Sequence, residues 1–433
     1  MRKNLYLGLI ACAALTMTGC SNDEVSYDSS KQEAQPIQFG TYVGRDVQGR
    51  ATCITSTTEL KDNGGFGVFA YYNGTNNHAE GDKPNFMYNQ KVTSTDGNSW
   101  TYAPVKYWPN NTNDQVSFFA YAPYSTGSTN NIFLDAVSSM TTPQINFTVN
   151  NTVQNQTDLL YADQTTHTYD LTKQNINGKI TFKFQHALAR IGFTVRAVTD
   201  EVAGSKALDD NTKIYVKKVV LLKNAVTDYN GTDNTPSEKV FYTQGVLNLK
   251  ESKAVTEASW GTHGAERQLL SIKTGTSADA TGESGDFKQC AGTTVKPQTD
   301  SSNPVETWGL LLDKDNSATA QTLNNDKAYM MIIPQDLSTE GFRIYVEYDV
   351  VTKEDWNSET PSNNDNIVHN KITTQDVKIN FKSGKAYTIN LQLGMTSVKV
   401  GAGVEEWTSD SNAMTNENTN NPANTNNPAN TGA

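Results

Sequence analysis

The hydrophobic and polar positions of Lys179–Ala197 (KITFKFQHALARIGFTVRA) alternate with a period of two, the signature of a half-buried strand. Up to Leu188 the apolar positions are even: Phe182, Phe184, His186 and Leu188. From Ile191 they are odd: Ile191, Phe193, Val195 and Ala197. A slip of one residue turns the buried face over. Ala189–Arg190 is therefore expected to be a bulge, or the point where the chain leaves one sheet for another. We read it as the seam between two β domains, with residues 36–178 forming the first and 179–407 the second.

Elsewhere the same period predicts short strands and no helix of consequence. Before the seam these are Pro36–Val43, with Ile37, Phe39 and Val43 inward, then Phe66–Tyr72, the aromatic region Phe86–Tyr124, Ile145–Val149 and Asp158–Tyr161. After it come Lys213–Leu222, Val246–Leu249, Gln268–Ile272, Trp308–Leu312, Tyr329–Ile333, Phe342–Val351 and Tyr387–Leu393. Val398, Val400, Val404 and Trp407 suggest a last strand, broken at Gly401 and Gly403. Thr274–Asn303 and Asn357–Asn370 read as long hydrophilic loops. Residues 408–433, with NNPANT occurring twice, offer nothing to bury and read as a disordered tail.

At 433 residues, 36% hydrophobic and 19% charged, the chain suits two β domains with polar turns. Its net charge of −11, with no basic block beyond the first residues, argues against a nucleic-acid partner.

The N-terminus carries its own signals. Met1–Arg2–Lys3 and the apolar run Leu5–Met17 form a secretory leader over residues 1–19, too short to anchor a bilayer. Thr18–Gly19–Cys20 resembles the lipobox of bacterial lipoproteins, which makes Cys20 the lipidated first residue; plain secretion is the alternative. The acidic Ser21–Glu24 just after it resembles a surface-export signal, and residues 20–35 read as a tether. In the body, Cys53 and Cys290 are open to one bridge or two buried thiols.

Catalytic patterns are missing. There is no nucleophile elbow, no HExxH and no paired Cys/His spacing, and the five histidines are scattered singly. His186 reads as a hydrogen-bonded core residue. Asp313–Asn316 and Asp228–Asn230 lack the glycine and distal glutamate of a calcium loop and read as solvated turns. We expect no enzyme, no cofactor and no metal.

The landmarks GRAT (Gly49–Thr52), FGVFAYY, YWP (Tyr107–Pro109), SFFAYAP, DLLYA (Asp158–Ala162), FKFQHALARI and the terminal VEEW, behind a lipobox, resemble in order and spacing the Bacteroidales fimbrillin-like family, the type V pilins and their relatives. The resemblance implies an all-β fold of two transthyretin-like β-sandwiches in series, and export to the outer-membrane surface as a lipoprotein, in a fimbrium where members polymerise. It also implies adhesion and partnership with other fimbrial subunits and a host or bacterial surface ligand. In polymerising members an arginine-specific protease removes the first strand, and a neighbour's C-terminal strand replaces it by β-augmentation. On this sequence the scissile bond falls at Arg50–Ala51, with Arg45–Asp46 second; the alternative for both arginines is a solvated turn. The donor candidates are Val398, Val400, Val404 and Trp407. The polar tail replaces the second apolar segment of the polymerising pattern, so tip, anchor and stand-alone adhesin roles stay open beside the stalk. The competing expectation is a lipid-anchored carbohydrate-binding module of a glycan-uptake system, which would display its aromatics instead of burying them.

Overall fold

A computed structural model describes residues 35–43, 53–77, 79, 82–136, 143–150, 153–162, 171–172, 179–198, 207–224, 226, 229, 240–249, 259–264, 267–268, 270–273, 290–295, 304–322, 329–358, 362 and 364–406. The described chain is nearly all β. Its α-helix is the single six-residue turn Thr57–Asp62, which strand periodicity could not reveal. The helix is fixed by a reciprocal cap: Glu59 N donates to Ser56 Oγ (3.2 Å), and Thr55 N donates to Glu59 Oε2 (2.7 Å).

Seven strands close into a barrel in the order Gln38–Val43, Lys179–His186, Leu160–Ala162, Val116–Ala122, Phe66–Tyr72, Met87–Ser94 and Trp100–Thr101. Its interior holds Phe39, Phe66, Phe118, Phe182, Trp100 and Trp108. The aromatic region Phe86–Tyr124 thus spends most of its large rings on packing: Trp100, Trp108, Phe118, Phe119 and Tyr121 are buried, whereas Tyr107 is exposed.

The phase slip has a clear structural counterpart. Ile180, Phe182 and Phe184 fill the barrel, while Ile191, Phe193, Val195 and Ala197 fill a second core. Between them, at Ala187–Leu188, the chain passes from the barrel into a sheet ordered Gln321–Thr322, Ala189–Ala197, Lys385–Leu393, Val398–Glu406. The boundary expected at 178/179 therefore falls one strand early, because Lys179–His186 pairs with the opening strand and with Leu160–Ala162. Periodicity tells which face of a strand is buried and is silent on which strands lie beside it.

The second core is covered on its other side by a sheet ordered Cys290–Val295, Val305–Leu312, Thr212–Lys223, Phe342–Thr352, Asn366–Thr373. Two of these strands fall in stretches that read as loops. Cys290–Val295 pairs with Val305–Leu312, and Asn366–Thr373 pairs with Phe342–Thr352. Both are edge strands, and Asn366–Thr373 is largely exposed, so neither needs a run of apolar residues.

The two halves also share a sheet. Gln144–Thr148 pairs antiparallel with Gln244–Asn248, about a hundred positions away in the chain, with Ser259–His263 and Ile132–Phe133 outside them. A third apolar cluster lies beneath, joining Phe69, Tyr121 and Phe147 to Leu247, Met331 and Ile333. Two polar contacts tie the same junction: Met331 N donates to Gln156 Oε1 (2.6 Å) and Trp260 Nε1 donates to Ala187 O (2.7 Å).

Candidate functional site

The opening strand Gln38–Val43 occupies a slot. On one side it runs parallel to Lys179–His186, from Gln38 opposite Lys179 to Val43 opposite Phe184. On the other it meets Trp100–Thr101 at one residue pair, Phe39 opposite Trp100. The barrel closes through this strand alone, so without it two unpaired strand edges would face each other.

Side chains supply most of the grip. Ile37, Phe39 and Val43 point inward and are buried, whereas Gln38 and Tyr42 face out. Burial of such side chains stabilises by about 1.5–3 kcal/mol each. Phe39 stacks on Phe182 at 5.5 Å and meets Phe118 edge-on at 6.0 Å. Tyr102 donates its hydroxyl to Ile37 O at 2.9 Å, and burial pushes that hydroxyl's pKa above the ordinary tyrosine value. Ile37 N donates to Lys106 O at 2.9 Å, pinning the strand's start. On the outer side Gly40 leaves room for the Lys179 stem: a Cβ there would lie 2.5 Å from Lys179 Cε.

The chain resumes beyond residues 44–52 on an independent anchor. Ile54 N donates to Asp158 Oδ2 at 2.7 Å, and Asp158, itself buried, bonds His186 Nδ1 through its other oxygen at 3.0 Å. His186 is thus the partnered core histidine its strand position suggests. Cys53 is buried, with Arg190 Nη1 3.9 Å from its sulfur, and the capped helix comes directly after it. The chain before residues 44–52 is held by the barrel, and the chain after them is held by Asp158 and the helix cap. Cys20, Arg45, Arg50 and Trp407 lie outside the described residues, as does the tail from 408 onward.

Among the described residues the last strand, Val398–Glu406, pairs on one side only, antiparallel to Lys385–Leu393, and forms the edge of its sheet. It runs unbroken through Gly401 and Gly403, contrary to the break expected from its glycines; both lie in the ladder, opposite Asn390 and Thr388. Val398 and Val400 pack partly against the second core, while Val404 is 57% exposed. The strand leaves a turn in which Gly394 N donates to Ser397 O (2.7 Å), and the buried Tyr348 donates its hydroxyl to Gly394 O (2.9 Å) and Ser397 O (3.2 Å).

Slot and edge strand share a pattern that the strand-by-strand reading missed, although it is written in the sequence. Ile37-Gln-Phe-Gly-Thr-Tyr-Val43 and Val398-Lys-Val-Gly-Ala-Gly-Val404 align without a gap. The apolar residues at 37, 39 and 43 match those at 398, 400 and 404, and Gly40 matches Gly401.

The remaining polar clusters are architectural. Asp349, buried, accepts from Thr307 Oγ1 (2.5 Å), bonds His369 Nδ1 (2.7 Å) and lies 3.4 Å from Lys217 Nζ. A register shift between Val216 and Lys218 leaves Lys217 as the extra residue of a bulge beside this cluster. Asp313–Asn316 is a turn closed on itself, with Asp313 Oδ1 accepting from Asp315 N and Asn316 N. Among the described residues no three His, Cys, Asp or Glu side chains converge as metal ligands.

The described chain is a nearly all-β body whose opening strand fills a slot in a barrel and whose Val398–Glu406 strand lies at a sheet edge. The profile of the fimbrillin-like family matches residues 50–265, and the chain belongs to that family. It is 27% identical over 432 residues to the fimbrium subunit Fim1C of Phocaeicola vulgatus, an alignment covering 94% of this chain and 98% of that one. It is also similar to a fimbrial protein of Bacteroides vulgatus whose crystal structure is known, with 24% identity, 86% of this chain and 99% of that one covered, and a TM-score of 0.59. The latter likeness extends the fold across almost the whole of the solved chain.

Proposed function

We propose that this protein is a cell-surface fimbrial subunit, non-enzymatic, lipidated at Cys20 and assembled with other subunits by strand exchange. In this reading it consists of two transthyretin-like units in series, meeting at Ala187–Leu188. A cut after Arg50, or after Arg45, separates two independently anchored pieces and frees Gln38–Val43 to leave. The vacated slot then takes the last strand of a neighbouring subunit, Val398–Trp407. The observation that carries this reading is the gapless match between the two strands. It sets Val398 where Ile37 lay, Val400 at Phe39, Val404 at Val43, and Gly401 under the Lys179 stem where Gly40 leaves the space. Ladder hydrogen bonds to Lys179–His186 supply affinity, and the alternate apolar residues supply register.

The lipid places the subunit on the outer membrane before trimming; the cut removes Cys20 together with the opening strand, and strand exchange with its neighbours then holds the trimmed subunit in the fimbrium. The internal packing of the Phe86–Tyr124 aromatics argues against a sugar platform there.

The test is trimming in solution. The mature chain is treated with an arginine-specific protease, its new N-terminus is sequenced and its size is followed by light scattering. Ala51 or Asp46 as the new first residue, with growth into oligomers that a double substitution of Arg45 and Arg50 by Ala prevents, is the expected result. Trimming at either bond that leaves only monomer overturns strand exchange, and protease resistance overturns the cleavage step.

A further inference from the structure

The sheet shared by the two halves carries, on its outward face, a cavity of about 480 Å³, within the range of small-ligand sites. It is far in the sequence from both strands of the slot mechanism. Its walls come from both halves of the chain: Phe133, Asn146 and Thr148 from the first, Gln244 and His263 from the second.

The register explains how these side chains meet. Asn146 stands opposite both Phe133 and Val246, and Thr148 opposite Gln244, so they share the outer face while Ile145, Phe147 and Leu247 go to the core. Phe133 keeps 43% of its surface open, unlike almost every other phenylalanine of the described chain. His263 lies flat on Tyr242, the rings 4.4 Å apart and 19° from parallel, presenting a second planar wall. Gly264 lies beside Gln244, where a Cβ would meet the Gln244 side chain at 3.0 Å, while Gly245 faces the core, where a Cβ would press on Trp260 at 2.9 Å.

The lining selects a ligand class. Flat apolar faces alternate with two carboxamides and a hydroxyl, and among the described residues no Lys, Arg, Asp or Glu lines the cavity. The adjacent carboxylate, Asp135, is occupied by Gln144 Nε2 (2.7 Å) and Asn146 Nδ2 (3.1 Å), which turns the Asn146 oxygen away from it as an available acceptor. A peptide strand is disfavoured over most of the cavity, because Ile132–Phe133, Gln144–Thr148 and Gln244–Asn248 are each already paired on both sides; Ser259–His263 is the sheet edge. A pyranose offers what the walls lack: a C–H face for Phe133, and ring hydroxyls that both donate and accept for Asn146, Thr148 and Gln244. We propose that this cavity is a binding site for a neutral oligosaccharide end, one or two sugar units deep, formed only where the two halves pair.

The test uses the full mature chain and saturation-transfer NMR with lactose, N-acetyllactosamine, cellobiose, chitobiose and mannobiose, with 3′-sialyllactose as a charged counter-probe. The expected result is saturable binding of at least one neutral disaccharide. Phe133→Ala and, separately, Gln244→Ala should each weaken it about tenfold, a loss of roughly 1.4 kcal/mol, while Tyr107→Ala, an exposed aromatic elsewhere, leaves it unchanged. Both variants lie at solvent-facing positions, and circular dichroism verifies that they fold. Absence of neutral binding up to about 10 mM, well above the millimolar constants of weak sites, overturns the proposal. So does binding indifferent to both substitutions, or binding confined to the sialylated probe.

Discussion

Phe39 and Phe182 lie 5.5 Å apart with their rings 24° from parallel, one on the strand that closes the barrel and the other on the strand it pairs with. The stack holds the opening strand near its start, with Phe66 and Phe118 meeting the same ring edge-on. Replacing Phe39 by Ala leaves a cavity at the barrel centre and is expected to cost about 3–5 kcal/mol in the untrimmed chain. Denaturant unfolding measures this as a lower midpoint at unchanged slope. If trimming expels the strand, the substitution leaves the trimmed, oligomeric protein as stable as its parent. A persistent deficit after trimming would show that Gln38–Val43 stays in the barrel.

Val404 separates folding from assembly. In the monomer its side chain is 57% exposed at a sheet edge, so Val404→Asp should change stability by no more than about 0.5 kcal/mol. Seated in a neighbour's slot at the place of the buried Val43, the same aspartate would be an unpaired charge in an apolar interior. The expected outcome is a normally folded monomer that fails to oligomerise after trimming, read by thermal melting and light scattering. Oligomers of normal size from this variant would exclude Val398–Val404 in the proposed register.

How much of this was legible beforehand differs from element to element. The phase slip at Ala189–Arg190 marked the change of core to within two residues, because burial imposes a period on the sequence. Ile37, Phe39 and Val43 were legible as inward positions for the same reason. The pairing of Gln144–Thr148 with Gln244–Asn248 was not, since alternation records a face and not a neighbour; the sugar-sized cavity depends on that pairing and was hidden with it. The helix at Thr57–Asp62 is too short to show a period, yet Ser56 and Glu59 stand three apart as a capping box, a signal that was there to be read. Edge strands such as Asn366–Thr373 carry little burial and therefore little pattern. The kinship of Ile37–Val43 with Val398–Val404 needed a comparison of the chain with itself, beyond a reading of each strand in turn.

Asp158 serves two elements at once, accepting from Ile54 N through one oxygen and bonding His186 through the other. Asp158→Ala strands a buried backbone N–H and removes the partner of His186. The expected cost is about 1–3 kcal/mol, the penalty for an unmet buried donor. Since this bond fixes the chain just after residues 44–52, hydrogen exchange should rise first at Cys53–Ser56 and at the end of Lys179–His186. Uniform loosening of the whole protein would mean that Asp158 acts on global stability and not on this anchor.

Tyr348 links stability in alkali to the strand proposed to move. Burial pushes its pKa up to about 12, and burial takes Tyr215 to about 12 as well. An unfolded tyrosine titrates near 10. Between these values the native state holds protons that the unfolded state has released, so stability falls as pH rises from about 10 to about 12 and is unaffected by these groups below that window. Tyr348→Phe removes one of these contributions and should flatten part of the alkaline limb, leaving the share of Tyr215 and of the other tyrosines raised by burial, Tyr71, Tyr102, Tyr121 and Tyr345 among them. It also removes the hydroxyl that clasps Gly394 O and Ser397 O, the turn from which Val398–Glu406 departs. At neutral pH the loss should be about 0.5–1.5 kcal/mol, the net worth of a hydrogen bond whose acceptors water can reach. Its distinctive mark would be local: faster hydrogen exchange along Val398–Glu406 and quicker oligomer growth after trimming, because a loosened turn releases the donor strand sooner. Slower growth, or exchange that rises equally in Thr212–Lys223, would separate this clasp from the assembly step.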